Sequence, residues 1–191
     1  MKGDNGKYLS RCRGCVVNGQ LPDFAFVHVD TPVNNPWAHW TATYAFPLGR
    51  IALRGDNGLF LARCNSCGPA AYPDSVGVHV SNSDEPWAIW TVSSFGSKII
   101  LKSDNGYLLT RCNGCWSSSS YADAVFVHVD NPVGNVWSTW TPEIQDDGKW
   151  AFKGDNGMYL ARCNGCVTGG AFGDFAFVHV STVVNNPWAL W

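Results

Sequence analysis

The chain has 191 residues, with 13 Lys and Arg set against 15 Asp and Glu. That is long enough to bury a core without metal or disulfide staples, and too evenly charged to steer nucleic acid or an anionic membrane, so neither is expected as a partner. Ten Trp, ten Phe, six Tyr and twenty Gly beside only two Met predict an all-β chain with many turns and almost no helix. Nowhere do 18 apolar residues run together, so no membrane-inserted segment is expected.

Four related repeats divide the chain at about 1–46, 47–95, 96–146 and 147–191, and they are expected to share one domain over 1–191. Each opens on an Asp-Asn-Gly turn, at Asp4, Asp56, Asp104 and Asp155, and runs through a Leu into Arg-Cys-x-x-Cys. A period of 48 to 52 residues calls for a repeat architecture.

The first repeat lacks most of an opening strand. Its residues from Met1 already belong to the pattern, so no apolar leader is expected, and Met1 reads either as a native start or as an addition to a mature protein. The second repeat is the clearest. Arg50–Arg54 predicts a short strand, Gly55-Asp56-Asn57-Gly58 a hairpin turn, Leu59–Arg63 a return strand, Val76–Val80 a third and Trp87–Val92 a fourth. Third strands follow at Phe26–Val29, Phe126–Val129 and Phe177–Val180. Fourth strands centre on Trp37–Trp40, Trp137–Trp140 and Trp188–Trp191, and the later opening strands on Ile99–Leu101 and Trp150–Phe152.

The hairpin Trp150–Lys153, Gly154-Asp155-Asn156-Gly157, Met158-Tyr159-Leu160-Ala161 resembles the opening of a fascin-like β-trefoil repeat, of the kind also found in trefoil lectins. The resemblance covers about 15 residues of each repeat. It implies four tandem four-stranded repeats arranged as trefoil-like lobes in one closed domain. Two departures stand out: a trefoil has three repeats, and Arg-Cys-x-x-Cys is not part of the fascin pattern. Either four lobes close together, or three close and a spare repeat pairs with a second chain, which leaves a homo-oligomer open. A four-bladed β-propeller is the alternative, since the period fits it equally well.

The pairs Cys12/Cys15, Cys64/Cys67, Cys112/Cys115 and Cys163/Cys166 point to local disulfides, because intervening Asn-Gly at 113–114 and 164–165 favours a tight turn that brings the flanking residues within reach of each other. Two such pairs can also supply the four thiolates of a zinc site, and free or redox-active thiols are the third option. Eight cysteines favour an oxidising compartment, hence a secreted or extracellular protein, with the cytoplasm as the alternative. Arg11, Arg63, Arg111 and Arg162 are expected to pair with the turn Asp of their own repeat. His28, His79, His128 and His179 stand between valines on the third strands and are expected to face away from them, each with the Asp five residues earlier, Asp23, Asp74, Asp123 and Asp174.

Eight Trp fall in pairs three residues apart, so one ring of each pair can fill the core while the other, Trp37, Trp87, Trp137 or Trp188, offers a stacking platform. Sugars present apolar faces to aromatic rings and hydroxyls to Asp and His. The expected function is therefore a multivalent carbohydrate-binding protein, a lectin whose partners are glycans, with one shallow site per repeat formed by the Asp, the His and the first Trp. No cofactor is expected. No Ser or Cys nucleophile recurs with His and Asp as a triad, so no enzyme is expected. The alternatives are a structural or protein-binding module, for which the fascin resemblance implies actin bundling on basic surfaces that this chain lacks, and a metal-binding protein built on the cysteines.

Overall fold

The computed structural model describes residues 4–18, 23–39 and 47–191. Among the described residues thirteen strands form, in chain order: β1 Tyr8–Arg13, β2 Asp23–Val29, β3 Gly49–Ala52, β4 Phe60–Asn65, β5 Asp74–Val80, β6 Ile89–Phe95, β7 Lys98–Lys102, β8 Leu108–Asn113, β9 Asp123–Val129, β10 Thr141–Ile144, β11 Trp150–Lys153, β12 Tyr159–Asn164 and β13 Asp174–Val180. The only helical segments among the described residues are four three-residue 3-10 turns. The all-β, trefoil-like expectation stands.

The four repeats, expected to share one domain over 1–191, group as one compact unit, Met1–Ala45, and a second, Phe46–Trp191. The first holds lobe 1, in which β1 pairs antiparallel with β2 from Tyr8↔Val29 to Arg13↔Asp23 and a 3-10 turn follows at Pro36–Ala38. Trp40, expected on a fourth strand, lies outside the described residues.

The second unit holds lobes 2, 3 and 4 with a common plan. A hairpin joins each return strand to its third strand, β4 to β5, β8 to β9 and β12 to β13. The Asp-Asn-Gly turns need a left-handed residue, and Gly58, Gly106 and Gly157 supply it at φ 82°, 89° and 80°. Each opening strand lies against its own lobe's later Trp, through Ile51↔Trp90, Ile99↔Trp140 and backbone bonds of 2.9 and 3.0 Å between Trp150 and Trp191. Hairpins β6–β7 and β10–β11 carry the chain from one lobe to the next. The path of paired strands is open, running from β10 to β3, and no barrel closes among the described residues.

The three third strands meet at the centre, each bridged to the other two by a single pair: Phe175↔Gly77, Phe177↔Ala124 and Ser75↔Phe126. They are buried on both faces. Val76, Val78, Val125, Val127, Ala176 and Val178 point into the main core with Leu53, Leu61, Trp90, Leu101, Leu109, Trp140, Phe152 and Leu160. Ala124, Phe126, Phe175 and Phe177 point the other way, into a second cluster with Trp116 beneath the cysteine loops. Every bridge across the centre joins one Phe to one small residue, so the three lobes fit without overlap.

The first Trp of each pair is not on a strand, as expected, but in a 3-10 turn: Pro36–Ala38, Pro86–Ala88, Val136–Ser138 and Pro187–Ala189. Pro at the start of three of these turns fixes φ for the helical bend and withholds an amide that a strand would need. Division of labour between the rings holds nonetheless in lobes 2 and 3, whereas Trp188 of lobe 4 is partly buried against its own lobe. Trp90 and Trp140 are fully buried and donate Nε1–H to the Leu61 and Leu109 carbonyls at 3.0 Å, whereas Trp37, Trp87 and Trp137 are 50%, 39% and 37% exposed.

Gly77 has no room for a side chain. A Cβ there would collide with the Phe172 ring and lie 2.7 Å from the Asp174 carbonyl oxygen. Gly77→Ala should therefore lower stability by roughly 2 kcal/mol through the junction of lobes 2 and 4, read as the shift in a urea midpoint, and an unchanged midpoint would refute this packing.

Candidate functional site

Three arginines stitch lobes 2 to 4 into a cycle. Arg63 forks onto Asp104 of lobe 3 with Nε and Nη2 at 2.8 and 2.7 Å and gives Nη1 to its own lobe's Asp74 at 2.7 Å. Arg111 does the same with Asp155 of lobe 4, at 2.7 and 2.7 Å, and with Asp123. Arg162 closes the cycle on Asp56 of lobe 2, at 2.6 and 2.7 Å, and on Asp174 at 2.6 Å. The expected pairing of each arginine with the turn of its own repeat is thus corrected. The return strand carries the arginine away from its own turn, and the ring brings the next lobe's turn to it instead.

Asp74, Asp123 and Asp174 are saturated by this network. Each also accepts from an Asn of its own lobe, Asn65, Asn113 or Asn164, at 2.9 to 3.0 Å, and from the turn Asn of the next, Asn105, Asn156 or Asn57, at 3.0 to 3.2 Å. The arginine forks hold the Asp56 and Asp155 carboxyls below the usual carboxylate range against opposing burial, and hold Asp104 down to about 2. In lobe 1, Arg11 stands 4.0 Å from Asp23 and 5.7 Å over the Trp37 ring.

All eight cysteines are paired within their own lobes, with Cα atoms 5.7 Å apart. Among the described residues no group of three or more His, Cys, Asp or Glu is placed to hold a metal ion. The disulfide turns also receive the neighbouring lobe. The Cys115, Cys166 and Cys67 carbonyls accept from Ala71, Ser120 and Ala171 at 2.9, 2.8 and 2.7 Å. Those three donors sit in the loops that carry Tyr72, Tyr121 and Phe172.

These same loops explain the histidines. The His79 ring stacks on Phe172 at 4.2 Å, His128 on Tyr72 at 4.1 Å and His179 lies 4.3 Å from Tyr121, each partner coming from a neighbouring lobe. Their Nδ1 atoms are buried with no partner in hydrogen-bond geometry, and burial pushes all three imidazoles below the usual histidine value. The sequence carries a signal for this: an aromatic ring two residues before the third-strand Asp recurs at 72, 121 and 172.

A shallow cleft results in each lobe. That of lobe 2, 560 Å³, is lined by Arg63, Cys64, Asn65, His79, Val80, Ser81, Glu85 and Trp87. In lobe 3 the cleft is 270 Å³ with Tyr72, Arg111, Cys112, Asn113, His128 and Trp137, and in lobe 4 it is 220 Å³ with Arg162, Cys163, Asn164, His179 and Trp188. In lobe 1, Cys12, Cys15, Phe26 and His28 line a hollow of 230 Å³. The expected His and first Trp therefore come together in lobes 2 to 4. The expected Asp does not join them: it is occupied by the ring, and the first Cys and the Asn after it stand at the cleft in its place.

No family model matches the chain, and none of the curated proteins compared is similar to it. Solved structures do match. The cytolethal distending toxin of Haemophilus ducreyi aligns at TM-score 0.55 with 11% identity, over 82% of this chain and 89% of that one. A Polyporus squamosus lectin, solved with the epitope Neu5Aca2-6Galb1-4GlcNAc, aligns at 0.53 with 16% identity, over 77% and 49%. The SDF2-like protein of Arabidopsis thaliana aligns at 0.59 with 15% identity, over 75% and 93%. At such identities the likeness is one of fold, a trefoil of the lectin type. The expectation that the chain is no enzyme is overturned by the same comparison. Structures it matches include cytolethal distending toxins, and a symmetry argument drawn from repeated residues does not exclude activity on a fold shared with toxins.

The titrations set the acid response. A histidine held down in the fold takes its proton later than in the unfolded chain, so its contribution is intact above about 6.5 and declines below. Asp104, also held down, contributes above about 4, and that contribution is lost as pH falls toward 2. Denaturant midpoints should therefore slip below about pH 6.5 and drop steeply below 4, and a profile flat from 7 to 3 would contradict the network. Arg111→Lys, which keeps the charge and loses the fork, should cost roughly 1 to 2 kcal/mol in the same assay at pH 7.

Proposed function

We propose that the protein is a multivalent lectin, taking up one sugar ring in each lobe's cleft. The observation that carries this reading is the threefold recurrence of one arrangement, a partly exposed indole beside a half-buried imidazole and a disulfide, at His79/Trp87, His128/Trp137 and His179/Trp188. In lobe 1, His28 and Trp37 are the corresponding residues. A sugar laid on the indole would present its hydroxyls to Asn65, Asn113 or Asn164 and to the imidazole, whose pKa is low enough to keep it uncharged at neutral pH.

Clefts this small and open suit weak binding of a single residue, so useful affinity would come from engaging several glycans at once. The four disulfides suit an extracellular setting. The resemblance of the hairpins to fascin-like repeats carries no filament-binding role in this reading.

A glycan array probed with the full chain should show binding to multivalent ligands. Trp87→Ala, Trp137→Ala and Trp188→Ala should each remove one site, weakening the monovalent affinity of that lobe by about 1 kcal/mol or more, while the triple variant should fall to background on the array. An array with no hits, or a triple variant that binds unchanged, would defeat the proposal.

A further inference from the structure

The three clefts share a frame but differ at the rim. The residue that opens the helical turn before the first Trp is Glu85 in lobe 2, where lobes 3 and 4 carry Asn135 and Asn186. Glu85 lines the lobe 2 cleft together with Trp87 and His79, and no carboxylate lines either of the other two. That cleft is also about twice the size of its counterparts, 560 Å³ against 270 and 220 Å³.

Nothing in the cleft neutralises this carboxylate. Arg63 is the one cation in its wall, and all three of its nitrogens are committed to Asp74 and Asp104 at 2.7 to 2.8 Å, two negative charges for one positive. Burial keeps the His79 imidazole uncharged at neutral pH. Asp84, next to Glu85 in the chain, adds charge of the same sign, and among the described residues no ion pair involves Glu85. The lobe 2 cleft therefore sets an uncompensated carboxylate beside an exposed indole.

We propose that the lobe 2 cleft is selective for a cationic amino sugar of the glucosamine type, its ring face on Trp87 and its ammonium at Glu85, while the clefts of lobes 3 and 4 take neutral sugars. This rests on the carbohydrate reading above. An ammonium carried directly on the sugar ring can meet the carboxylate and the face of the indole together, so both contacts act on the same group. Uronic or sialic acids are repelled by Glu85 and Asp84, which supplies discrimination against acidic glycans.

The test is titration calorimetry of the full chain with the β1,4-linked trisaccharide of glucosamine and with its N-acetylated counterpart, at about pH 7, where the His79 imidazole is uncharged and amines still carry positive charge. The expected result is one site per chain that prefers the amine form by about tenfold, a preference that shrinks in high salt and disappears in Glu85→Gln with its melting curve unchanged. Equal affinity for the two trisaccharides, or a preference that survives Glu85→Gln, overturns the inference. If the N-acetylated form binds through Trp87 with no gain for the amine, the lectin reading stands and this one fails. If no glycan binds in either assay, both fail.

Discussion

The arginine fork is the interaction on which the rest of the second compact unit depends. Each of Arg63, Arg111 and Arg162 binds two carboxylates from two lobes, and a planar guanidinium with its donors in fixed directions is suited to satisfying both at once. The side chains involved are between 14% and 23% exposed, too sheltered to count as ordinary surface pairs and too wet to carry the full penalty of burial. The forks act less as a large energy term than as a positional one. They bring the turn of the next lobe to each return strand, and a neighbour's loop can then reach the disulfide turn and stack on the histidine.

Packing at the centre makes the three lobes different from one another. Lobe 2 contributes Ser75 and Gly77, lobe 3 Ala124 and Phe126, and lobe 4 Phe175 and Phe177, so each cross-lobe bridge joins a large ring to a small side chain. Lobe 1 carries the same heptad as lobe 4, Asp-Phe-Ala-Phe-Val-His-Val, at 23–29 and 174–180. Phe177 is fully buried and stacks edge-on against His179, whereas Phe26 is 39% exposed. Identical residues are thus core in one lobe and surface in another. What buries the heptad is the complementary pair of small-residue strands across the centre, and the β1–β2 hairpin taken by itself supplies no such strands.

Local features were readable in the sequence because their causes are local. Asp-Asn-Gly dictates its turn through backbone conformation, Cys-x-x-Cys brings its own sulfurs together, and alternation along Val-x-Val assigns faces on a strand. Features whose cause lies between lobes leave no such local trace. Arg63 pairs with a residue 41 positions away and Arg162 with one 106 positions away, and no periodicity within one repeat can show which turn is meant. The partners of Asp74, Asp123 and Asp174 are hidden for the same reason. From the sequence they are free carboxylates near a histidine, while in the fold each already accepts three hydrogen bonds from the ring. Tyr72, Tyr121 and Phe172 recur at a constant offset, but only a neighbouring lobe makes them histidine partners.

The frame and the rim of each cleft are built from different residues. The floor of each is built from residues that the ring holds in place: the arginine, the Asn that shares its carboxylate, the first Cys of the disulfide and the stacked histidine. Altering any of them disturbs the junction as well as the cleft. The rim belongs to the loop between the third strand and the helical turn, Ser81–Glu85, Asp130–Asn135 and Ser181–Asn186, which takes no part in the arginine network. Val133 and Val184 in the latter two loops are more than half exposed, so their side chains are free of packing demands. Charge and size at the rim can thus change from lobe to lobe at little cost to the fold, and Glu85 in lobe 2 is where that freedom has set a carboxylate in the wall of a cleft.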